Sequence, residues 1–342
     1  MRPANDRLFS WILGLGPKAR YNLTSSGLGE PDLRAMGIDT SFERFAAERD
    51  HEQIFAKEVA SLYHVEPQNI VPTNGGSEAI FLVYSVLGAG RTALVPLPNY
   101  GPMFNVPKAL GMEVGATLST TAKAKETIFG LTDPNNPTGL SLDEEAVETI
   151  TRPSQHGSPV FINETYREFT FPEAPRTHFA RAENIVVCST MTKFYGLGRL
   201  RVGWVIADKA TAQKILYAKW AVSGHDSEYS LWIAAQVLKK RKRFVERARL
   251  IRSRNISLVR KFIEETGLPV ELGAAPFCLV RYGRGPSSVE FATALFEKTG
   301  VLVSPGDFFG APRAFRLCFT AEEEALRAGL GELSGYLRRT SK

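Results

Sequence analysis

Between Asn69 and Ala207 the chain alternates short apolar runs with helical stretches, and no other feature restricts its fold as strongly. The runs end at Val71 and then cover Thr92–Pro96, Ile128–Thr132, Ser158–Asn163, Asn184–Cys188 and Val202–Ala207. Their β-branched, apolar character is that of buried strands. Helical apolar spacing fills intervals beside them, as in residues 53–64 (Ile54, Val59, Leu62). The alternation predicts a three-layer α/β sandwich around a mostly parallel sheet with covering helices. Such sheets place ligands beyond the ends of their strands, so the loops there hold the candidate site.

The loop after Asn184–Cys188 is the most informative. It reads STMTKFYGLGRLRVGW from Ser189 to Trp204, with Lys193 at its centre. A lysine amine held off solvent titrates low and can form a Schiff base. Thr190, Thr192 and Arg201 are close enough in sequence to bind an anion such as a phosphate beside it. Taken alone, the lysine is equally readable as one basic residue on a solvated turn.

The other loops add polar groups of a matching kind. Asn74–Gly76 form a turn, and Ser77 is expected to open a helix; Gly75, Gly76 and Ser77 there present free N–H groups at the positive end of a helix dipole. The alternative is a plain serine N-cap. Tyr100 sits in a Pro-rich turn, able to stack on a flat heterocycle or to pack in the core. DPNNPTG (Asp133–Gly139) offers the amides of Asn135 and Asn136, and a helix capped near Ser141 should follow. The strand ending at Asn163 leads to Glu164 and Tyr166. Near the N-terminus, Gly27 and Gly29 lie in a loop that allows close ligand approach but reads equally as an ordinary turn.

Composition narrows the class. The 342 residues suffice for a large core in one unit or two domains. A net charge of +6, from 42 basic and 36 acidic residues, favours acidic small molecules only weakly and gives no argument for nucleic acid. Cys188, Cys278 and Cys318 lie far apart in apolar runs, as buried thiols of a reducing compartment do. The five histidines lack metal-ligand spacing, so no metal is expected. The apolar run Leu8–Leu15 is too short for a bilayer and reads as a docked N-terminal arm. From about Asp226 to Glu265 one long helical stretch is expected. Its basic run, Lys239–Arg254, reads as a solvated face opposite an apolar side of Phe244, Val245, Leu250, Ile251, Ile256 and Val259. A strand (Phe277–Tyr282), a helix (Ser288–Lys298), the strand FRLCF with Arg316 and a closing helix (Ala321–Arg338) read as a smaller α+β domain.

Taken together, NPTG at Asn136–Gly139, Lys193, and Arg201 eight residues later followed by Gly203 resemble the class I/II aminotransferases of the fold-type I pyridoxal-phosphate enzymes, the aspartate and histidinol-phosphate type. The resemblance runs from GLGEPDL to the last helix. It implies pyridoxal 5'-phosphate as cofactor, an amino acid and a 2-oxo acid as partners, no nucleic acid or membrane partner, a homodimer and a cytoplasmic enzyme. It implies a large domain over 33–235, with 1–32 and 236–342 forming the arm and small domain. Lys193 resembles the Schiff-base lysine and acid/base. Arg201, Thr190, Gly75, Gly76 and Ser77 resemble the phosphate site, Tyr100 the ring-stacking aromatic, and Asn136 and Tyr166 the partners of the phenolic oxygen. Arg316, with Asn136, resembles the grip on the substrate carboxylate, and the Gly27–Gly29 loop the segment that closes over substrate.

Two positions depart from the family pattern. Where an aspartate keeps the pyridine nitrogen protonated, this chain has Asn163. A neutral amide does not raise the pKa of a cationic partner as a carboxylate does, so the ring is a weaker electron sink. Glu164 should point to the opposite face of the sheet. That leaves a slow transaminase, a different pyridoxal chemistry such as a decarboxylase, lyase or racemase, or a substituted but active enzyme; a cofactor-binding protein without turnover is the remaining alternative. Around Glu48–Gln53 the family's usual tyrosine is absent and Arg49 and His51 stand nearby. Arg20, Arg34 and Arg49 are candidates for a second substrate anion.

Overall fold

The computed structural model describes residues 6–116, 126–155, 157–283 and 285–340. The chain begins with α1 (Arg7–Leu15), β1 (Tyr21–Asn22), α2 (Phe42–Ala47), α3 (His51–Tyr63), β2 (Ile70–Thr73), α4 (Gly75–Leu87) and β3 (Thr92–Leu94). It continues through α5 (Gly101–Ala109), β4 (Val114–Gly115), β5 (Thr127–Thr132), α6 (Glu144–Gln155), β6 (Val160–Asn163), α7 (Arg167–Thr170), β7 (Ile185–Thr190) and β8 (Gly203–Ile206). The remainder is α8 (Lys209–Val222), α9 (Glu228–Lys239), α10 (Arg241–Thr266), β9 (Val270–Leu272), β10 (Phe277–Arg281), α11 (Ser288–Thr299), β11 (Val301–Leu302), β12 (Ser304–Pro305), β13 (Ala314–Cys318) and α12 (Glu323–Thr340).

Seven strands form the large sheet in the order β2-β8-β7-β6-β5-β3-β4. Its strand pairs are parallel except those that β8 makes with β2 and β7, so β8 alone runs backwards. Side chains alternate between two cores. Val160, Ile162, Val187, Trp204 and Ile206 join one, with Phe55, Trp232 and Phe244 from α3, α9 and α10. Phe161, Val186, Cys188 and Val205 join the other, with Ile80, Val83 and Tyr84 of α4 and Ile215 of α8. Period-two alternation with apolar residues on both faces gives three layers.

A second sheet has the order β12-β13-β10-β9 and is antiparallel. Its core includes Cys278, Val280, Phe315 and Leu317, with Val259 and Phe262 of α10, Leu295 of α11 and Leu333 of α12. The N-terminal segment joins it: β1 pairs with β11, and Leu23 is buried there. Cys188, Cys278 and Cys318 are all buried free thiols. Among the described residues no helix is long and apolar enough to cross a membrane.

Several local expectations are corrected. Helix α4 starts at Gly75, so Ser77 is its third residue and not its cap. Glu78 instead accepts from the Asn74 backbone N–H at 2.7 Å. Ahead of α6 the capping carboxylate is Asp143, which accepts from Ala146 N at 2.7 Å, and not Ser141. The stretch 226–265 is two helices, broken at Lys240, where ψ turns to 20°. Leu250 is 71% exposed rather than part of an apolar side. The basic run is only partly a solvated face. Arg241 is buried and pairs with Glu168 at 2.8 Å, while Lys240, Arg243 and Arg247 donate to the carbonyls of Gly37, Met36 and Gly29.

Candidate active site

The parallel strands deliver their loops to one edge. Thr132 pairs with Asn163, and Asn163 with Cys188, so β5, β6 and β7 end side by side. Because β8 is reversed, its leading residue Gly203, and Arg201 before it, reach the same edge. A cavity of about 350 Å³ opens there. Lys193, Arg201 and Arg316 line it, with Tyr100, Asn136, Asn163 and Tyr166 and, at its anion-binding end, Gly76, Ser77, Thr190 and Thr192. A larger open cleft of about 540 Å³ lies behind the DPNNPTG loop, but neither lysine nor arginine lines it.

Lys193 is half-buried, and burial together with Arg316 and Arg201 lowers its pKa from 10.5 to about 8. The neighbouring Cys318 works weakly the other way. At pH 7 about a tenth of such an amine is neutral and nucleophilic. Its Nζ donates to Ser26 Oγ at 3.3 Å, and Tyr166 donates its hydroxyl to the same oxygen at 2.8 Å. Burial lifts the Tyr166 pKa to about 12, so this phenol stays a donor at neutral pH. Ser26 is held by its loop: Leu28 N donates to Lys193 O at 2.9 Å.

Arg201 adopts left-handed backbone angles, φ 54° and ψ 44°. For a residue with a Cβ this costs on the order of 1–3 kcal/mol. The conformation lays the guanidinium against Gly75, where a Cβ would stand 2.8 Å from Nη2. Gly75 therefore makes room for Arg201 and does not line the cavity. Thr190 donates to Val202 O at 2.8 Å and accepts from Thr192 N at 3.2 Å. Its hydroxyl proton is thus spent on the protein, and the Thr192 hydroxyl, 2.9 Å from that oxygen, donates to it in turn; both threonines line the cavity.

Arg316 is 1% exposed and has no acidic partner among the described residues. Nη1 donates to Asn136 Oδ1 at 2.9 Å, and Nη2 to Thr24 O at 3.1 Å. Nε is buried with no partner at all. A buried cation of this kind calls for an anion. The rings of Phe309 and Phe277 flank it at 4.8 and 5.4 Å.

Asn163 accepts from Thr165 N at 3.1 Å through Oδ1, which leaves its amide N–H₂ for whatever occupies the cavity. The two nearby carboxylates turn away. Glu164 is buried behind the strand and accepts from His178 N at 2.7 Å, with a pKa raised by burial. Asp133 joins Arg167 and His178. Among the described residues neither aspartate nor glutamate lines the cavity.

Gly29 also lies outside it. Its carbonyl accepts from Arg247 at 2.6 Å, and a Cβ on Gly196 would collide with it. Arg20 stacks over Tyr21, Arg49 donates to the Ala46 and Glu48 carbonyls, and neither they nor Arg34 line the cavity. His51 is buried, stacked on Phe45. Ser26 and the residues of α1 are cavity groups that the sequence motifs did not single out, whereas Thr192 was named there and does line the cavity.

The family profile for aminotransferase class I and II matches residues 44–333. The chain belongs to the class I and II aminotransferase family. It is 27% identical over 274 residues to histidinol-phosphate aminotransferase 2 of Carboxydothermus hydrogenoformans, covering 74% of this chain and 73% of that one. With the Haloarcula marismortui histidinol-phosphate aminotransferase it shares 26% over 335 residues, 92% and 90% of the two chains. In fold it matches a pyridoxal-phosphate-dependent aminotransferase from Streptococcus suis, with TM-score 0.89, 24% identity and complete coverage of both chains. It also matches the pyridoxal-phosphate-dependent cyclase OrfR, with TM-score 0.85, 21% identity and coverage of 99% and 98%.

The cofactor of this aminotransferase is pyridoxal phosphate, and the cavity fits it at both ends. At one end Arg201, Thr190, Thr192 and Ser77 line the cavity beside the α4 N-terminus, a chemistry that suits a phosphate. The depressed Lys193 amine suits capture of an aldehyde. The amide of Asn163, which lines the cavity, can donate but cannot supply negative charge.

Proposed function

We propose that this enzyme moves an amino group from an α-amino acid to a 2-oxo acid, with Lys193 as the amine that holds the cofactor through a Schiff base and then carries a proton. The observation that carries this is one lysine of pKa about 8 in a cavity whose other cations are Arg201 and the unpaired, buried Arg316. Bound pyridoxal phosphate supplies an aldehyde for a primary amine and a ring that draws electrons from the substrate α-carbon. Arg201, Thr192 and Ser77 take its phosphate. Tyr166 donates to its phenolic oxygen, and Asn136 stands beside it, oriented by Arg316. Arg316 grips the α-carboxylate with a guanidinium fork. Nζ of Lys193, near neutrality at its pKa, accepts and returns the proton. We read the chain as two bodies, 33–235 and 1–32 with 236–342, joined by α10, and as a homodimer in the cytoplasm.

The test is to load the protein with cofactor and mix it with single amino acids. Release of a 2-oxo acid that Lys193→Ala abolishes supports the reading; intact donors throughout the panel refute it. Asn163 favours a second reading, because an N–H₂ donor prefers an unprotonated ring nitrogen, which withdraws electrons poorly. A decarboxylase, lyase, racemase or cyclase would then be the outcome, detected as carbon dioxide or a rearranged product in place of the 2-oxo acid. If transfer is the reaction, Asn163→Asp should raise the rate of α-proton loss; an unchanged or lower rate contradicts that assignment.

A further inference from the structure

Helix α1 forms one wall of the cavity, and it lies outside the stretch that the family profile matches. It is a built element. Asp6 caps it, accepting from Leu8 N and Phe9 N at 3.1 Å each. Leu8 is buried against Phe308 and Phe309, and Trp11 donates its indole N–H to Val303 O at 3.0 Å. Leu8 and Ile12, one turn apart, share a face that packs on this cluster and lines the cavity, and Phe9 and Leu13 line it beside them. Phe9 is 42% and Leu13 72% exposed, although the helix carrying them is docked. From the facing side Ile80 of α4 adds a further aliphatic surface.

Among the described residues, each charge in the cavity has a role. Lys193 is the amine, Arg201 belongs to the phosphate end, and Arg316 is left for one carboxylate. The described residues of this chain put no fourth cation into the cavity, since Arg20, Arg34 and Arg49 all lie elsewhere. A second carboxylate or a phosphate on the substrate would therefore face leucine, isoleucine and phenylalanine. An unpaired anion against apolar surface is strongly disfavoured.

We propose that this site takes amino acids with an uncharged, apolar side chain, and that Ile12 and its neighbours on α1 are the surface that receives it. The inference rests on the aminotransferase reading above for the α-amino and α-carboxylate positions. It separates the site from one built for substrates that carry a second anion besides the α-carboxylate.

Binding of unreactive acids to the cofactor-loaded enzyme tests the pocket without requiring turnover. Calorimetric titration of the series acetate to hexanoate should show affinity rising about three- to fourfold per methylene, the gain for apolar carbon leaving water. Succinate, glutarate and 3-phosphonopropanoate should bind at least tenfold more weakly than alkanoates of matching length. A flat series, or tighter binding of the diacids, overturns the proposal; the latter is the result if a partner subunit brings in a cation. Ile12→Ala and Leu13→Asn leave the Leu8 and Trp11 anchors intact and should cut the gain to less than twofold per methylene. A slope unaffected by both variants removes α1 from the assignment. Leucine should also exceed aspartate at least tenfold in kcat/KM as amino donor. If no donor reacts but the graded series persists, the aminotransfer reading fails and the apolar pocket stands.

Discussion

The functional amine carries a cost in the folded protein. Lys193 titrates near 8 in the fold and near 10.5 when free. Each unit corresponds to about 1.36 kcal/mol, so keeping this lysine protonated in the cavity costs about 3 kcal/mol at neutral pH. Because the folded pKa is depressed, the unfolded chain binds more protons between pH 8 and 10.5. Stability therefore rises with pH across that window, and the cost is fully present below it. Lys193→Met should make the cofactor-free protein more stable than the wild type at pH 6–7, with the advantage fading as pH rises through 8 toward 10.5. Denaturant midpoints that are equal, or lower for the variant, at every pH would contradict this. The main site residues were legible as residues: Lys193, Arg201, Asn136, Tyr166 and Arg316 sit in motifs, and all five line one cavity. Ser26 was not, because it lies 167 positions from Lys193 and meets it only through the fold. The pairing of the Thr190 and Thr192 hydroxyls was equally hidden, since it depends on the Val202 carbonyl that takes the Thr190 proton.

Among the elements, the loop that carries Asn136 depends on one carboxylate. Asp133 is fully buried; Oδ1 accepts from Leu142 N at 2.9 Å, and Oδ2 meets Arg167 and His178. Removing it would strand a buried guanidinium, a loss of about 3–5 kcal/mol. Asp133→Ala should lower the urea midpoint accordingly and weaken cofactor binding through Asn136. A variant with wild-type stability would show that this cluster does not hold the loop. Element types along 69–207 were readable because strand and helix periods differ. The boundary between α9 and α10 was not, since apolar residues recur with a helical period on both sides of Lys240 and neither glycine nor proline marks the break. The fate of the basic run was hidden for a similar reason. Composition cannot tell a solvated arginine from Arg243 and Arg247, which tie down the 29–37 loop.

Over the whole molecule, alternation predicts a parallel sheet but leaves the strand order open. The order places β8 in reverse between β2 and β7, and that reversal brings Arg201 to the edge where the ends of β2 and β7 deliver Gly76 and Lys193. The second sheet completes the site from across the cavity, with Arg316 in β13 reaching Asn136 in the large sheet's loop. Helix α10 spans both cores, with Phe244 and Val245 in one and Val259 and Phe262 in the other. The cavity thus lies between two packed cores, and the proposed chemistry turns on one amine. Borohydride reduction of the cofactor-loaded protein, followed by peptide mass mapping, fixes the cofactor to the amine that holds it. The account predicts the added mass on Lys193 alone, at one per chain; the mass on any other lysine, or on none at full cofactor loading, would contradict it.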